Sequence, residues 1–301
     1  MKIESPILYC CYNRLDLIKK SLDIIKKIEC KKIYISIDGP KNNQNDIKKN
    51  QEIINYIQNL SFSSTKELLI NDKNKGCKFA ISSAIDWFFE HEEHGIILEE
   101  DLLPSKSFFH FCDYALNKYE NKNNVMMISG TNYLGEKVKS NNYFFSEHFL
   151  IWGWATWKRS WNFYDVEMKN WKKESVKLEI QKRYSSKEYN FLKNRFNSYF
   201  KDYSDTWDIQ WYFSCIYNKG LTVMPQANLV TNIGVEGTHS KKYYDTLFLE
   251  FGELEIEKIN PPAEIKRNYN FDLKLHQKYN FNNFILIKIK LFLKKIFYFL
   301  S

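Results

Sequence analysis

The run Leu98-Glu99-Glu100-Asp101 sets three carboxylates side by side where the apolar stretch Gly95-Ile96-Ile97-Leu98 ends. Charge at the end of a buried strand is costly unless something positive meets it. A hard divalent cation, Mn²⁺ or Mg²⁺, takes carboxylate oxygens together with the phosphates of a ligand, so the run is a candidate edge for metal and phosphate. The same acids also suit the start of the next helix, expected over Ser105 to Tyr119, where negative charge meets the positive end of the helix dipole. Taken alone, the run fits either role.

Other residues carry chemistry of the same kind. Arg14 follows the first apolar run in Cys11-Tyr12-Asn13-Arg14. Its fork of donors grips phosphate or a base edge, or else it starts a helix paired with Asp16. Asp38 ends a second run at Asp38-Gly39; it accepts a hydrogen bond from a base imide, or it is a turn residue. In Thr206-Trp207-Asp208-Ile209-Gln210-Trp211 an acid lies among indoles. Partial shielding from water suits a general base for a hydroxyl proton, while the alternative is the cap of a helix running through Trp211 and Tyr217. His239, in the glycine-bearing segment Gly234 to Ser240, is a candidate metal or phosphate ligand on a lid, although a lone histidine is usually neither. Trp152-Gly153-Trp154-Ala155-Thr156-Trp157 is either a sugar platform or core.

These residues need elements to hold them. Ile7 to Tyr12, Ile33 to Ile37, Leu68 to Ile70 and Gly95 to Leu98 read as strands. Leu15 to Ile28, Ile47 to Leu60 and Lys78 to His91 have helical spacing. Repeated β-α-β units predict an α/β fold, a mostly parallel central sheet flanked by helices. Ligands bind such sheets beyond the carboxyl ends of the strands, where Asn13-Arg14, Asp38-Gly39 and Glu99-Glu100-Asp101 all fall. Further on, Val125 to Ser129 and Leu221 to Asn232 are expected strands, and Glu174 to Phe200 an amphipathic helix. The tail from Phe281 to Ser301 is apolar but carries Lys288, Lys290, Lys294 and Lys295, which argues against a spanning helix. It reads equally as a segment on an anionic membrane surface or one packed on the body or a partner.

A chain of 301 residues with 44% hydrophobic and 17% aromatic content buries a large core. With 10 Gly and 6 Pro it is neither collagen-like nor disordered. The formal charge of +8 attracts anions in general. Six cysteines without a C-x-x-C pair read as buried thiols of a reducing compartment. The start of the chain runs directly into a strand, with no signal peptide expected.

In this order the motifs resemble those of GT-A glycosyltransferases, closest to the N-acetylglucosaminyltransferase I family and to bacterial family 2-like sugar transferases. The likeness runs from about Pro6 to about Asp245. Its marks are Pro6-Ile7-Leu8 leading to Asn13-Arg14, Ile35-Ser36-Ile37-Asp38-Gly39, Glu99-Glu100-Asp101-Leu102 with Phe108-Phe109, Gly153-Trp154 with Trp157, Trp207-Asp208, and Gly237-Thr238-His239. The resemblance implies a GT-A fold with a Rossmann-like nucleotide-binding half (1–101), an acceptor-binding half (102–245) and a C-terminal extension (246–301). It implies that Arg14 and Asp38 hold the nucleotide and that Glu99-Glu100-Asp101 is a D-x-D-type motif. In that motif Asp101 ligates the metal, Glu100 lies near the ribose and Glu99 near the donor sugar. Thr238 and His239 belong to a loop closing over the diphosphate, with His239 a second metal ligand. Asp208 becomes the base of an inverting transfer, with Trp154 and Trp207 as the sugar platform. Two departures stand out: the first acid of a strict D-x-D is Glu99 here, and Ser82 or Ser83 falls where the family has a nucleotide-contacting histidine.

The implied partners are a nucleotide-sugar donor, UDP-linked before GDP-linked, and a glycan or lipid-linked glycan acceptor. The implied setting is the cytoplasmic face of a bacterial membrane, in the synthesis of lipopolysaccharide, capsule or another surface glycan. A sugar-phosphate nucleotidyltransferase is the nearest rival, but the opening Tyr9-Cys10-Cys11-Tyr12-Asn13-Arg14 lacks the glycine-rich phosphate loop it needs. An inactive carbohydrate-binding protein does not explain Trp207-Asp208 beside the acidic run. A nucleic-acid binder does not explain the acidic edge.

Overall fold

Ile7–Cys11, Lys32–Ile37, Thr65–Ile70 and His94–Glu99 form strands β1 to β4, and the first is buried along its whole length. Burial on both faces is the mark of a parallel strand covered by helices. Those helices are α1 (Leu15–Ile25), α2 (Gln44–Asn59) and α3 (Gly76–His91). The computed structural model describes residues 2–134, 142–201, 205–234, 252, 254 and 258–280. After β4 come β5 (Leu102–Pro104), α4 (Lys106–Lys118), β6 (Val125–Ser129), β7 (Tyr143–Ser146) and β8 (Trp154–Trp157). Helices α5 (Lys158–Trp161), α6 (Glu174–Arg183), α7 (Ser186–Lys201) and α8 (Asp208–Tyr217) follow, then β9 (Leu221–Pro225), β10 (Val230–Asn232) and α9 (Tyr269–Asn280).

Eight strands form one sheet in the order β3-β2-β1-β4-β8-β6-β9-β7. The pairs of β1 with β2 and β4, of β2 with β3 and of β6 with β9 are parallel, while β8 and β7 run against their neighbours. This is the expected α/β architecture. Alternate strand residues face opposite layers. Ile7, Tyr9, Cys11, Ile33, Ile35 and Ile37 pack under α1, α2 and α4, whereas Leu8, Cys10, Tyr34 and Ile97 pack against α3 and α6 to α8. A second sheet pairs β5, which follows directly on β4, with β10, antiparallel.

Two expectations needed revision, each for a local reason, and one left open between platform and core is decided. The helix expected over Glu174 to Phe200 is two helices, because Ser185 and Glu188 form a capping box that starts a new one. The Ser185 hydroxyl and backbone N–H donate to Glu188 Oε2 at 2.7 and 3.1 Å. The single strand expected over Leu221 to Asn232 is split between two sheets by the turn Gln226-Ala227-Asn228. There Asn228 Nδ2 donates to Val230 O at 2.9 Å. The tryptophan-rich stretch is strand β8, which is fully buried between β4 and β6.

All six cysteines are free, and five are buried. Helix α9 packs on the body through Phe271 and Leu275, which join Tyr133, Phe144, Leu150 and Met224 in a small core. Residues 281–301 lie outside the described residues. Among the described residues no helix is long and apolar enough to cross a membrane.

Candidate active site

Because β1, β2 and β4 are parallel neighbours, their carboxyl ends open on one edge, and Arg14, Asp38 and Glu99-Glu100-Asp101 meet there. Arg14 ties the edge together. Its Nε donates to Glu100 Oε1 at 2.5 Å and its Nη2 to Asp101 Oδ2 at 3.1 Å. The other Glu100 oxygen accepts from the Tyr12 backbone N–H at 2.6 Å, so Glu100 sutures the end of β4 to the turn after β1. Burial opposes the Arg14 charge, but Glu100 and Asp101 more than offset it and push its pKa up. Desolvation pushes the Glu100 carboxyl up, and Arg14 partly restrains it. Chain from the second sheet touches the same point. Ile233 N–H donates to Asp101 O at 2.8 Å, and a Cβ on Gly234 would lie 2.4 Å from Asp101 Oδ2 and 3.0 Å from Arg14 Nη1.

Asp38 is buried and turned into the loop between β3 and α3. Its carboxylate accepts from Gly39 N–H at 2.9 Å, Asn74 Nδ2 at 2.8 Å and Lys75 N–H at 3.0 Å. Desolvation nevertheless holds its pKa above the ordinary value. Asp46, which the sequence analysis passed over, collects Tyr12 Oη at 2.6 Å, Asn13 Nδ2 at 3.0 Å and Lys41 N–H at 2.6 Å. It joins the turns after β1 and β2, and these bonds keep its carboxyl below the usual range despite the cost of burial.

The opposite wall is the start of α8. Asp208 is its first residue, and Trp207 just before it stacks on Trp154 of β8 with centroids 5.4 Å apart and planes 22° apart. Trp154 and Trp207, expected as a sugar platform, are 1% and 2% exposed and belong to the core. Their stacking, worth roughly 1 kcal/mol beyond the area buried, fixes where α8 begins. Asp208 Oδ2 accepts from Arg195 Nη2 at 2.9 Å, and Oδ1 accepts from the Thr206 hydroxyl. Asp205 reaches the amino end of α3, accepting from Cys77 N–H at 2.9 Å and Lys78 N–H at 2.8 Å. Gly76 precedes these amides at φ +74°, a left-handed conformation in which a Cβ would lie 2.8 Å from Asp205 Oδ2.

Glu99 is the last residue of β4. Desolvation, with Asp101 and then Asp208 adding their charge, pushes its carboxyl up to about 8. Asp101 and Asp208 are far apart in sequence, yet both act on this one group. The acids here outnumber the two arginines, and Glu99 registers the unmet negative charge. A cation suits that imbalance. Among the described residues no three His, Cys, Asp or Glu side chains form a ready-made metal cage. Mg²⁺ and its like, however, typically take one or two carboxylates and complete their shell with water and substrate phosphates. Asp101, expected as the metal ligand, is one such carboxylate, and Glu99, expected near the donor sugar, is the next acid along the same edge. Thr238 and His239 lie outside the described residues.

Arg195, Asp205 and Asp46 were not singled out from the sequence. Arg195 lay in a stretch read only as amphipathic, and nothing near Asp205 marks a cap supplied to a helix well over a hundred residues earlier.

No family model matches the chain, and no curated protein matches it. Among solved structures it is similar to HddC from Yersinia pseudotuberculosis, with a TM-score of 0.25 and 13% identity over 39% of this chain and 54% of that one. The chain thus spans about half of HddC. It is also similar to a UDP-glucose pyrophosphorylase complexed with UDP-glucose, with a TM-score of 0.31 and 11% identity over 54% of this chain and 79% of that one. A third is the 4-diphosphocytidyl-2C-methyl-D-erythritol synthase from Anaerococcus prevotii, with a TM-score of 0.33 and 12% identity over 56% and 77%. At these values the overlap says nothing of activity.

Proposed function

We propose that this protein is a metal-dependent glycosyltransferase that moves a sugar from a nucleotide-diphosphate donor to a hydroxyl of a glycan acceptor, with inversion. The observation that supports this most directly is the gathering of Arg14, Glu100 and Asp101 at the carboxyl edge of β4, where Arg14 bonds both acids, with the charge of Asp208 among those that raise the Glu99 carboxyl. One wall then binds an anionic donor and the other offers a base.

In this reading Arg14 and the loop pinned by Asp38 hold the nucleotide, and Glu100 keeps Arg14 in place. Asp101 and Glu99 would hold Mn²⁺ or Mg²⁺, which supplies neutralisation of the leaving diphosphate. Asp208 accepts the proton of the acceptor hydroxyl as its oxygen attacks the anomeric carbon from the face opposite the leaving group. One bond forms as the other breaks, through an oxocarbenium-like transition state. The acceptor is a glycan or lipid-linked glycan at the inner face of a bacterial membrane. A nucleotidyltransferase is the weaker reading: β1 passes to α1 through Tyr12-Asn13-Arg14 alone, with no glycine to cradle a triphosphate.

The test is a thermal-shift panel of UDP-, GDP- and CMP-sugars with and without Mn²⁺, followed by turnover of Asp208→Asn with the donor that binds. Metal-dependent stabilisation by one donor class is expected, with transfer lowered at least about a hundredfold in the variant and donor binding retained. Near-normal turnover of Asp208→Asn would overturn the assignment of the base.

A further inference from the structure

Behind Asp208 runs a chain of buried polar side chains that ends in the C-terminal segment. We propose that Arg195 is a positioning residue for Asp208, and that Arg267 to His276 brace it through α7 and Tyr212. This rests on the reading of Asp208 as the base.

Arg195 Nη2 donates to Asp208 Oδ2 at 2.9 Å, and the guanidinium lies over the Tyr212 ring, 4.7 Å from its centroid. Tyr212 Oη stands 3.1 Å from His148 Nδ1. The other ring nitrogen of His148 lies 3.3 Å from Asp272 O, and its ring is 4.6 Å from that of His276. This route runs from the candidate site to α9. A second route runs along α7 itself. Glu188 lies two turns before Arg195, on the same face of the helix. It accepts from Arg267 Nη2 at 2.6 Å, while Arg267 Nε donates to Asp272 Oδ2 at 2.6 Å. Glu188 and Asp272 are 1% and 0% exposed.

Buried ion networks are poor sources of stability, because desolvation consumes most of the attraction. Their value here is geometric. An arginine on a loose arm does not hold a carboxylate to a fraction of an ångström. Arg195 is clamped from beneath by the Tyr212 ring, and its helix is clamped at Glu188 by Arg267. Residues well beyond the acidic edge thereby take part in the site.

The test is hydrogen exchange of the full chain at the amides of Trp211 to Phe213, the first bonded turn of α8, in Arg195→Met, Arg195→Lys and Arg267→Lys. Exchange about tenfold faster in Arg195→Met and Arg267→Lys, with Arg195→Lys near wild type, is the expected result. Unchanged exchange in Arg195→Met overturns the proposal. UDP release from mixed UDP-glucose, UDP-galactose and UDP-N-acetylglucosamine with Mn²⁺ adds a second readout. A roughly hundredfold fall in kcat with KM unchanged is expected for Arg195→Met, partly restored in Arg195→Lys. Full turnover of Arg195→Met where Asp208→Asn is inactive overturns the brace. An active Asp208→Asn overturns the base assignment instead, and the exchange data then decide the brace alone.

Discussion

In the proposed function Asp101 is the residue on which phosphate binding turns. Its Oδ2 meets Arg14 at 3.1 Å, and its charge adds to the burden on Glu99. Replacing it with alanine removes one carboxylate from the edge but leaves Arg14 its partner Glu100, so the fold survives. Asp101→Ala is expected to weaken Mn²⁺-dependent UDP binding at least about tenfold, the scale of one charged contact. Calorimetry showing unchanged affinity would remove Asp101 from that role. Gly234 gives an independent handle on the same spot. A methyl there would stand 2.4 Å from Asp101 Oδ2, nearer than any real Cβ contact, so the carboxylate or the chain after β10 must shift. Gly234→Ala is expected to lower the same affinity without removing a charged group, and an affinity equal to wild type would show that the edge tolerates the shift.

Helix ends do much of the positioning. The amino end of α3 is capped by Asp205 from a distant stretch of chain, three residues before Asp208. The cap therefore locates the start of α8 as well. Asp205→Ala is expected to cost about 1 kcal/mol, typical of a lost cap, read as a lower denaturant midpoint at an unchanged slope. An unaltered midpoint would mean that the Trp154–Trp207 stack suffices. Elements with a local signal were legible in the sequence: α1 to α4 and β1, β2, β4 and β6 follow apolar periodicity and β-branched runs. The break between α6 and α7 also had a signal, the Ser185–Glu188 capping box, hidden inside a continuous amphipathic pattern. β8 was obscured because four buried residues rich in tryptophan look the same in a strand, a core turn or a ligand platform.

Across the whole molecule, the buried histidines make stability depend on pH. Desolvation holds His148 down to about 3 and His276 to about 4. An unfolded chain has histidines near 6.5. Between pH 6.5 and those values the unfolded state therefore binds more protons, and stability falls as pH falls. By pH 5 each histidine costs about 2 kcal/mol. Arg267 and Arg195 disfavour a charge on His148, while Glu188 and Asp272 favour one on His276. Desolvation also pushes the neighbouring Asp272 and Glu147 carboxyls up, so the informative quantity is a difference. The loss of Tm from pH 7 to pH 5 should be smaller in His276→Gln than in wild type, and equal losses would show that these rings do not set the pH limit.

The α/β class and the three polar clusters at one sheet edge were determined by the sequence, because strand periodicity and short β-α-β connections act over neighbouring residues. Parallel pairing then leaves those strand ends nowhere to go but the same side. The sequence also supplied the candidates Arg14, Asp38, Glu99, Glu100, Asp101 and Asp208. Only the tertiary structure decided how they are arranged. It paired Asp208 with Arg195, closed Arg14 on Glu100 and Asp101, and sank Trp154 and Trp207 into the core. It also revealed Asp205 on the amino end of α3, and the bonds of Arg267 to Glu188 and Asp272. Each of these is a contact between residues distant in the chain, fixed by how the layers pack rather than by any local pattern.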